Sequence, residues 1–255
     1  MLTLTEAQFA AWASPVFWPF LRTLAVFTSA PIFSSRAFPL RAKIALAFLV
    51  ALSVQATLPV APVIGFNDAS ALGVAVQQVV VGLSIGFAIR VVFAAAELAG
   101  EVVGFQMGLN FAAFFDPAMN GQSSAVARFF TYVTYLLFVV LNGHLMVLMA
   151  VNKSFRSFPV EQGFLESMGK LRLYELGAAL FSSALWMALP MVGMLMFVNV
   201  ALGIISRVAP QMNIFAVGFP ITLVVGMVGI AFTLPMLEQP YVALMEQAIA
   251  LFASN

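Results

Sequence analysis

The sequence has no cysteine among its 255 residues. Disulfides, thiolate zinc sites and iron–sulfur clusters are therefore excluded. It has one histidine, His144, and no HExxH run, so the usual zinc sites cannot be assembled from histidine either. Charge is equally scarce. Asp, Glu, Lys and Arg make up 8% of the chain, against about 25% in a typical soluble domain. Too little polar material exists for a water-facing shell. The net charge is +1, and the cations are scattered rather than gathered on one face, which excludes nucleic-acid binding. The start, MLTLTEAQFAAW, lacks the basic residues of a secretory leader, so the first helix is expected to be retained.

What is present is apolar: 63% hydrophobic residues, with a mean hydropathy of +1.05. A bilayer must solvate much of such a surface. Six segments approach the roughly 20 residues needed to cross it: 9–33, 44–64, 72–96, 129–151, 176–205 and 214–237. The expectation is an all-α membrane protein of about six long, proline-kinked apolar helices in hairpins, with a re-entrant plug segment near 101–120. Arg36, Arg41 and Lys43 place the first loop in the cytoplasm. The remaining Lys and Arg mildly favour a seventh crossing by 101–115, whereas the polarity of that stretch argues against it.

The stretch EVVGFQMGLNFAAFFDPAMNGQSS, 101–124, is too polar for lipid and too apolar for a solvated loop. Gly100, Gly104 and Gly108 share a helical stripe that allows close backbone approach and bending. Asp116-Pro117 is expected to stop the helix. Irregular backbone at membrane depth is tolerated only inside protein or beside water, so the segment should face a protein interior or an aqueous conduit. Ionisable groups at this depth usually face a cavity or a partner. Arg22 is one. Glu97 and Glu101, one turn apart, are another set. They fit either a proton or cation relay or, as preferred here, partners for Arg22, Arg90 or Arg128. Ser123, Ser124 and His144 could be imagined as an intramembrane protease, but GQSS is not a nucleophile turn. His144 is expected to hydrogen-bond to a neighbouring helix. The break ISRVAPQMNIFAVGFP, 205–220, reads as a hairpin tip displaying Arg207, Pro210, Gln211, Asn213 and Phe215.

Four blocks together resemble the FliR family of flagellar biosynthetic proteins and its virulence-system relatives, the SctT subunits of type III secretion export gates. They are LRTLAVFTSAPIFSSRAFPLRAKIALA, ELAGEVVGFQMGLNFAAFFDP, NGHLMVLMAVNKSFRSFPV and VNVALGIISRVAPQMNIFAVGFP. The resemblance implies a non-enzymatic subunit without cofactor, in the bacterial inner membrane at the base of a flagellum or injectisome. It implies FliP-like and FliQ-like partner chains, an FlhB-like switch protein near the hairpin tip, and unfolded exported proteins as cargo. Residues 1–175 would form a FliP-like part containing a plug loop at 106–122, and 176–255 a FliQ-like hairpin. In that plug, Met107, Leu109, Phe111, Phe114 and Phe115 would exclude water and ions. Gly108 would bend the segment, Pro117 would end it, and Gln106, Asn110 and Asp116 would satisfy its backbone. The alternative is a small secondary transporter working through Glu97 and Glu101.

Overall fold

The computed structural model describes residues 6–57, 64–65, 67–109, 123–160, 169, 173–211 and 213–252. Among them the helices are α1 (Glu6–Ser29), α2 (Leu40–Gln55), α3 (Ala71–Gln106), α4 (Ala125–Val140), α5 (Gly143–Ser157), α6 (Glu175–Val208), α7 (Ile214–Thr233) and α8 (Glu238–Ala250). A 3-10 turn, Leu234–Leu237, joins the last two. Each of the six apolar segments carries helix, and no strand is formed among the described residues.

Among the described residues, three stretches are long and apolar enough to cross a membrane: Ala71–Gln106, Glu175–Val208 and Ala216–Ala250. A fourth results if α4 and α5 count as one broken span. The break falls at Asn142, whose φ of 54° is a left-handed conformation that Asn tolerates better than most residues. α1 and α2 do not meet this test of length and composition. At 16 residues α2 is also shorter than a full crossing requires.

The chain forms two compact units that interleave in sequence. One comprises residues 1–91, 142–176 and 245–255, the other 92–141 and 177–244. In the first unit, α1 and α2 pack together, with Ala47 and Ala51 fully buried. Ile32 has φ 67°, uncommon for a β-branched residue. It turns the chain after α1, so that Phe33 stacks on Phe27 at 4.7 Å between ring centroids. Small residues set the packing of α1 on α3, because any side chain at Gly82 would meet the Arg22 carbonyl and Ala25.

In the second unit the end of α3 packs on α4. Phe93 meets Tyr135 at 5.1 Å and Phe138 at 5.8 Å. Two turns further on, a Cβ at Gly100 would lie 2.6 Å from the Ala127 Cα and 3.0 Å from the Val126 carbonyl oxygen. Both neighbours are backbone and cannot swing away. Gly100→Ala is therefore expected to cost about 1–3 kcal/mol. Gly193 and Gly203 of α6 have open space at the same position. Alanine there should instead stabilise by about 0.5–1 kcal/mol through helix propensity. Thermal unfolding of the three variants in detergent separates the two cases.

Burial follows the same division of roles. Of the most apolar window of α3, 67% is buried, but only 17% of that of α6. Phe197, Trp186 and Val208 of α6 and Phe232 of α7 stand exposed. Apolar surface of this extent needs lipid or another chain against it.

Candidate functional site: a loop clamped at both ends

α3 runs through Glu97, Gly100, Glu101 and Gly104 without a break, beyond the apolar segment 72–96 read from the sequence. It also ends earlier than Asp116-Pro117. The Leu109 N–H bonds to the Gly104 carbonyl at 3.1 Å, and the Gly108 N–H to the Phe105 carbonyl at 3.1 Å. Gly108 has φ 79°. These are the two bonds and the left-handed glycine of a Schellman motif, which satisfies the last carbonyls of a helix. A glycine, not the proline, thus terminates α3. Asn110, Phe111, Phe114, Phe115, Asp116 and Pro117 lie outside the described residues.

The entrance to that loop is seated on α7. Met107 is 1% exposed. Its side chain fills the gap left by Gly226, where a Cβ would stand 2.5 Å from the methionine methyl carbon. One turn earlier, the Thr222 hydroxyl donates to the Met107 carbonyl at 3.2 Å. The ring of Phe219 faces Gly108, 3.4 Å from where its Cβ would be. Gln106 accepts a long contact, 3.4 Å, from the Asn199 amide of α6. Leu109 is partly exposed.

The exit is held by the two carboxylates. Ser123 donates its hydroxyl to Glu97, and the Ser124 N–H donates to Glu101 at 2.7 Å. The Ser124 hydroxyl in turn accepts from the Ala127 N–H at 3.1 Å, capping α4. A carboxylate beside the first amides of α4 is also favoured by the helix dipole. Glu97 and Glu101 thus clamp the returning chain onto α3.

Arg22 has neutral partners. It is fully buried and donates from Nε to Gln78 (2.8 Å), from Nη1 to Ser154 (3.0 Å) and from Nη2 to the Phe158 carbonyl (2.7 Å). The ring of Phe155 lies 3.8 Å from its Cζ, a cation–π contact strengthened by desolvation. Arg90 reaches the Ser29 carbonyl at 3.2 Å. His144 is half-buried in the first turn of α5. The hydrogen bond to a neighbouring helix expected for it is not formed among the described residues.

At the hairpin tip, Arg207, Pro210, Gln211 and Asn213 are all exposed. Arg207 sits in the last turn of α6, where a cation complements the helix dipole. The Asn213 side chain accepts from the Ala216 N–H at 3.3 Å to start α7. Phe215 falls in the first turn of α7.

Sequence reasoning missed Phe219, Thr222 and Gly226. A signal was present: Gly218, Thr222 and Gly226 recur every four residues, the small-residue stripe of a close helix contact. All three are buried.

The fold and the clamped loop define an all-α membrane protein whose central segment is held by protein at both ends. The profile of the family described as Bacterial export proteins, family 1, matches residues 13–248, and the chain belongs to this family. Within it, the chain is similar to the flagellar biosynthetic protein FliR of Escherichia coli (strain K12), with 39% identity covering 93% of this chain and 90% of that protein. FliR of Pectobacterium carotovorum is 40% identical over the same shares. FliR of Bacillus subtilis (strain 168) is 31% identical, covering 82% of each chain.

Proposed function

We propose that the chain is a non-enzymatic subunit of the flagellar type III export gate in the bacterial inner membrane, and that its loop 106–122 plugs the gate's conduit at rest. It works in a complex with FliP-like and FliQ-like chains, close to an FlhB-like switch protein, and unfolded cargo passes through the shared centre. Residues 1–175 act as the FliP-like part and 176–255 as the FliQ-like hairpin.

One observation carries this reading: the loop is pinned at its entrance by Thr222 and Gly226 and at its exit by Glu97 and Glu101. A segment fixed at both ends can be held across a passage without being carried away by what passes. The same geometry weighs against the transporter alternative, since both carboxylates already accept from the chain. The exposed apolar faces of α6 and α7 support partner chains wrapped around the subunit.

Membrane extraction of a tagged chain should recover FliP-like and FliQ-like chains in a stable particle. Recovery of the chain alone from cells that express all of them would sink the reading.

A further inference from the structure

We infer that α7 is the latch of the plug, with Gly226 and Thr222 as positioning residues that must release Met107 before the passage opens. This rests on the plug reading above. Met107 lies two residues beyond Phe105, which is 61% exposed, yet is itself 1% exposed. The depth comes from the missing side chain at 226: a Cβ there would come within 2.5–2.6 Å of the Met107 Cε, Cγ and Sδ. Methionine is unbranched and flexible, so it fills such a slot closely and can withdraw from it without rearranging the backbone around it.

Thr222 adds direction. Its hydroxyl is shared between the Met107 carbonyl at 3.2 Å and the Phe219 carbonyl of its own helix at 3.0 Å. When Met107 leaves, the hydroxyl keeps a partner, so opening leaves no buried orphan on α7. The Met107 carbonyl precedes Gly108, whose left-handed φ sets the direction in which the loop departs. Holding that carbonyl therefore fixes the backbone at the Gly108 turn. α7 itself starts at the exposed hairpin tip, and a helix carries a displacement along its axis. Movement at the tip is delivered to the slot.

Three experiments in the assembled complex test this. Gly226→Val fills the slot and should raise ion leak about tenfold, the factor that corresponds to shifting the closed state by one decade. Adding Met107→Ala makes room again and should return the leak toward the intact level. Because the chain has no cysteine, Met107→Cys with Gly226→Cys introduces a single pair at facing positions, the Met107 side chain lying against the place a Cβ at 226 would take. That bond should form within the chain, reduce protein export by about tenfold, and release the block when reduced. Export at an undiminished rate with the bond formed overturns the latch, as does failure of the bond to form under oxidation. If deletion of 106–120 leaks and Gly226→Val does not, the plug stands and the latch falls. If neither leaks, the plug reading itself is refuted.

Discussion

Export complexes carrying a deletion of residues 106–120 leak ions at rest, whereas complexes with the intact chain do not. This is the expected result with the largest effect. A narrow apolar constriction excludes ions by dewetting, so its removal leaves a hydrated path. A closed state favoured by about 3 kcal/mol is open roughly 1% of the time, and abolishing closure raises the leak about a hundredfold. The deletion spares Glu97, Glu101, Ser123 and Ser124, so α4 keeps its cap. It also spares Thr222 and Gly226, and with them the fold of α7. Conductance measured in vesicles, with the complex verified by its subunit content, reads the effect directly. A conductance indistinguishable from that of the intact complex would remove the basis for a plug.

The second large effect belongs to Arg22. Arg22→Met keeps most of the volume but strands the Gln78 side-chain oxygen and the Phe158 carbonyl in the buried interior, and takes one partner from the Ser154 hydroxyl. Each unsatisfied group costs about 1–3 kcal/mol. Ser154 keeps its own bond to the Val151 carbonyl, so the sum is about 3 kcal/mol or more. For a chain of this size that corresponds to a drop of roughly 6–12 °C in melting temperature. Arg22→Lys should recover little. A single ammonium cannot reach three acceptors on different sides, nor reproduce a planar guanidinium against the Phe155 ring. Thermal unfolding in detergent, followed by circular dichroism, checks both variants. A melting temperature within a degree of the parent would show that the network is not holding α1, α3 and α5 together.

These two expectations differ in how far they can be read along the chain. The unusual character of 101–124 was legible in its composition, since glycines, amides and phenylalanines rarely alternate in either lipid or water. That Arg22 needs partners was legible from its setting in PFLRTLAVF. Which partners it has was not. Glu97 and Glu101 looked suited to pair with an arginine; the structure also gives them Ser123 and Ser124 at the start of the returning chain, where a carboxylate is favoured beside the first amides of a helix. Gln78, Ser154 and Phe158 are separated from Arg22 by 56, 132 and 136 positions, and no local pattern marks them.

Helix ends show the same limit. Asp116-Pro117 was the visible stop signal, but Gly108 ends α3 first, because a left-handed glycine closes the final carbonyls as soon as the chain is free to turn. Conversely, Pro15 and Pro19 lie inside α1, Pro190 inside α6 and Pro220 inside α7, and none ends its helix. In membrane-type helices the freed backbone group can be re-satisfied by neighbours, by Ser or Thr side chains or by a local adjustment of the helix.

By itself, then, the sequence determined the solvent and the class of fold. Long apolar runs with 8% charge can only be helices in contact with lipid or with other chains, since their backbone groups must be satisfied within each segment. It also determined where that regime breaks, at 101–124 and at 205–220. Only the tertiary structure decided what the break at 101–124 is fastened to. Met107 and Thr222 lie 115 residues apart, and their contact depends on the absence of a side chain at Gly226. Such complementarity of shape exists between surfaces, and becomes defined only when the helices that carry them are brought together.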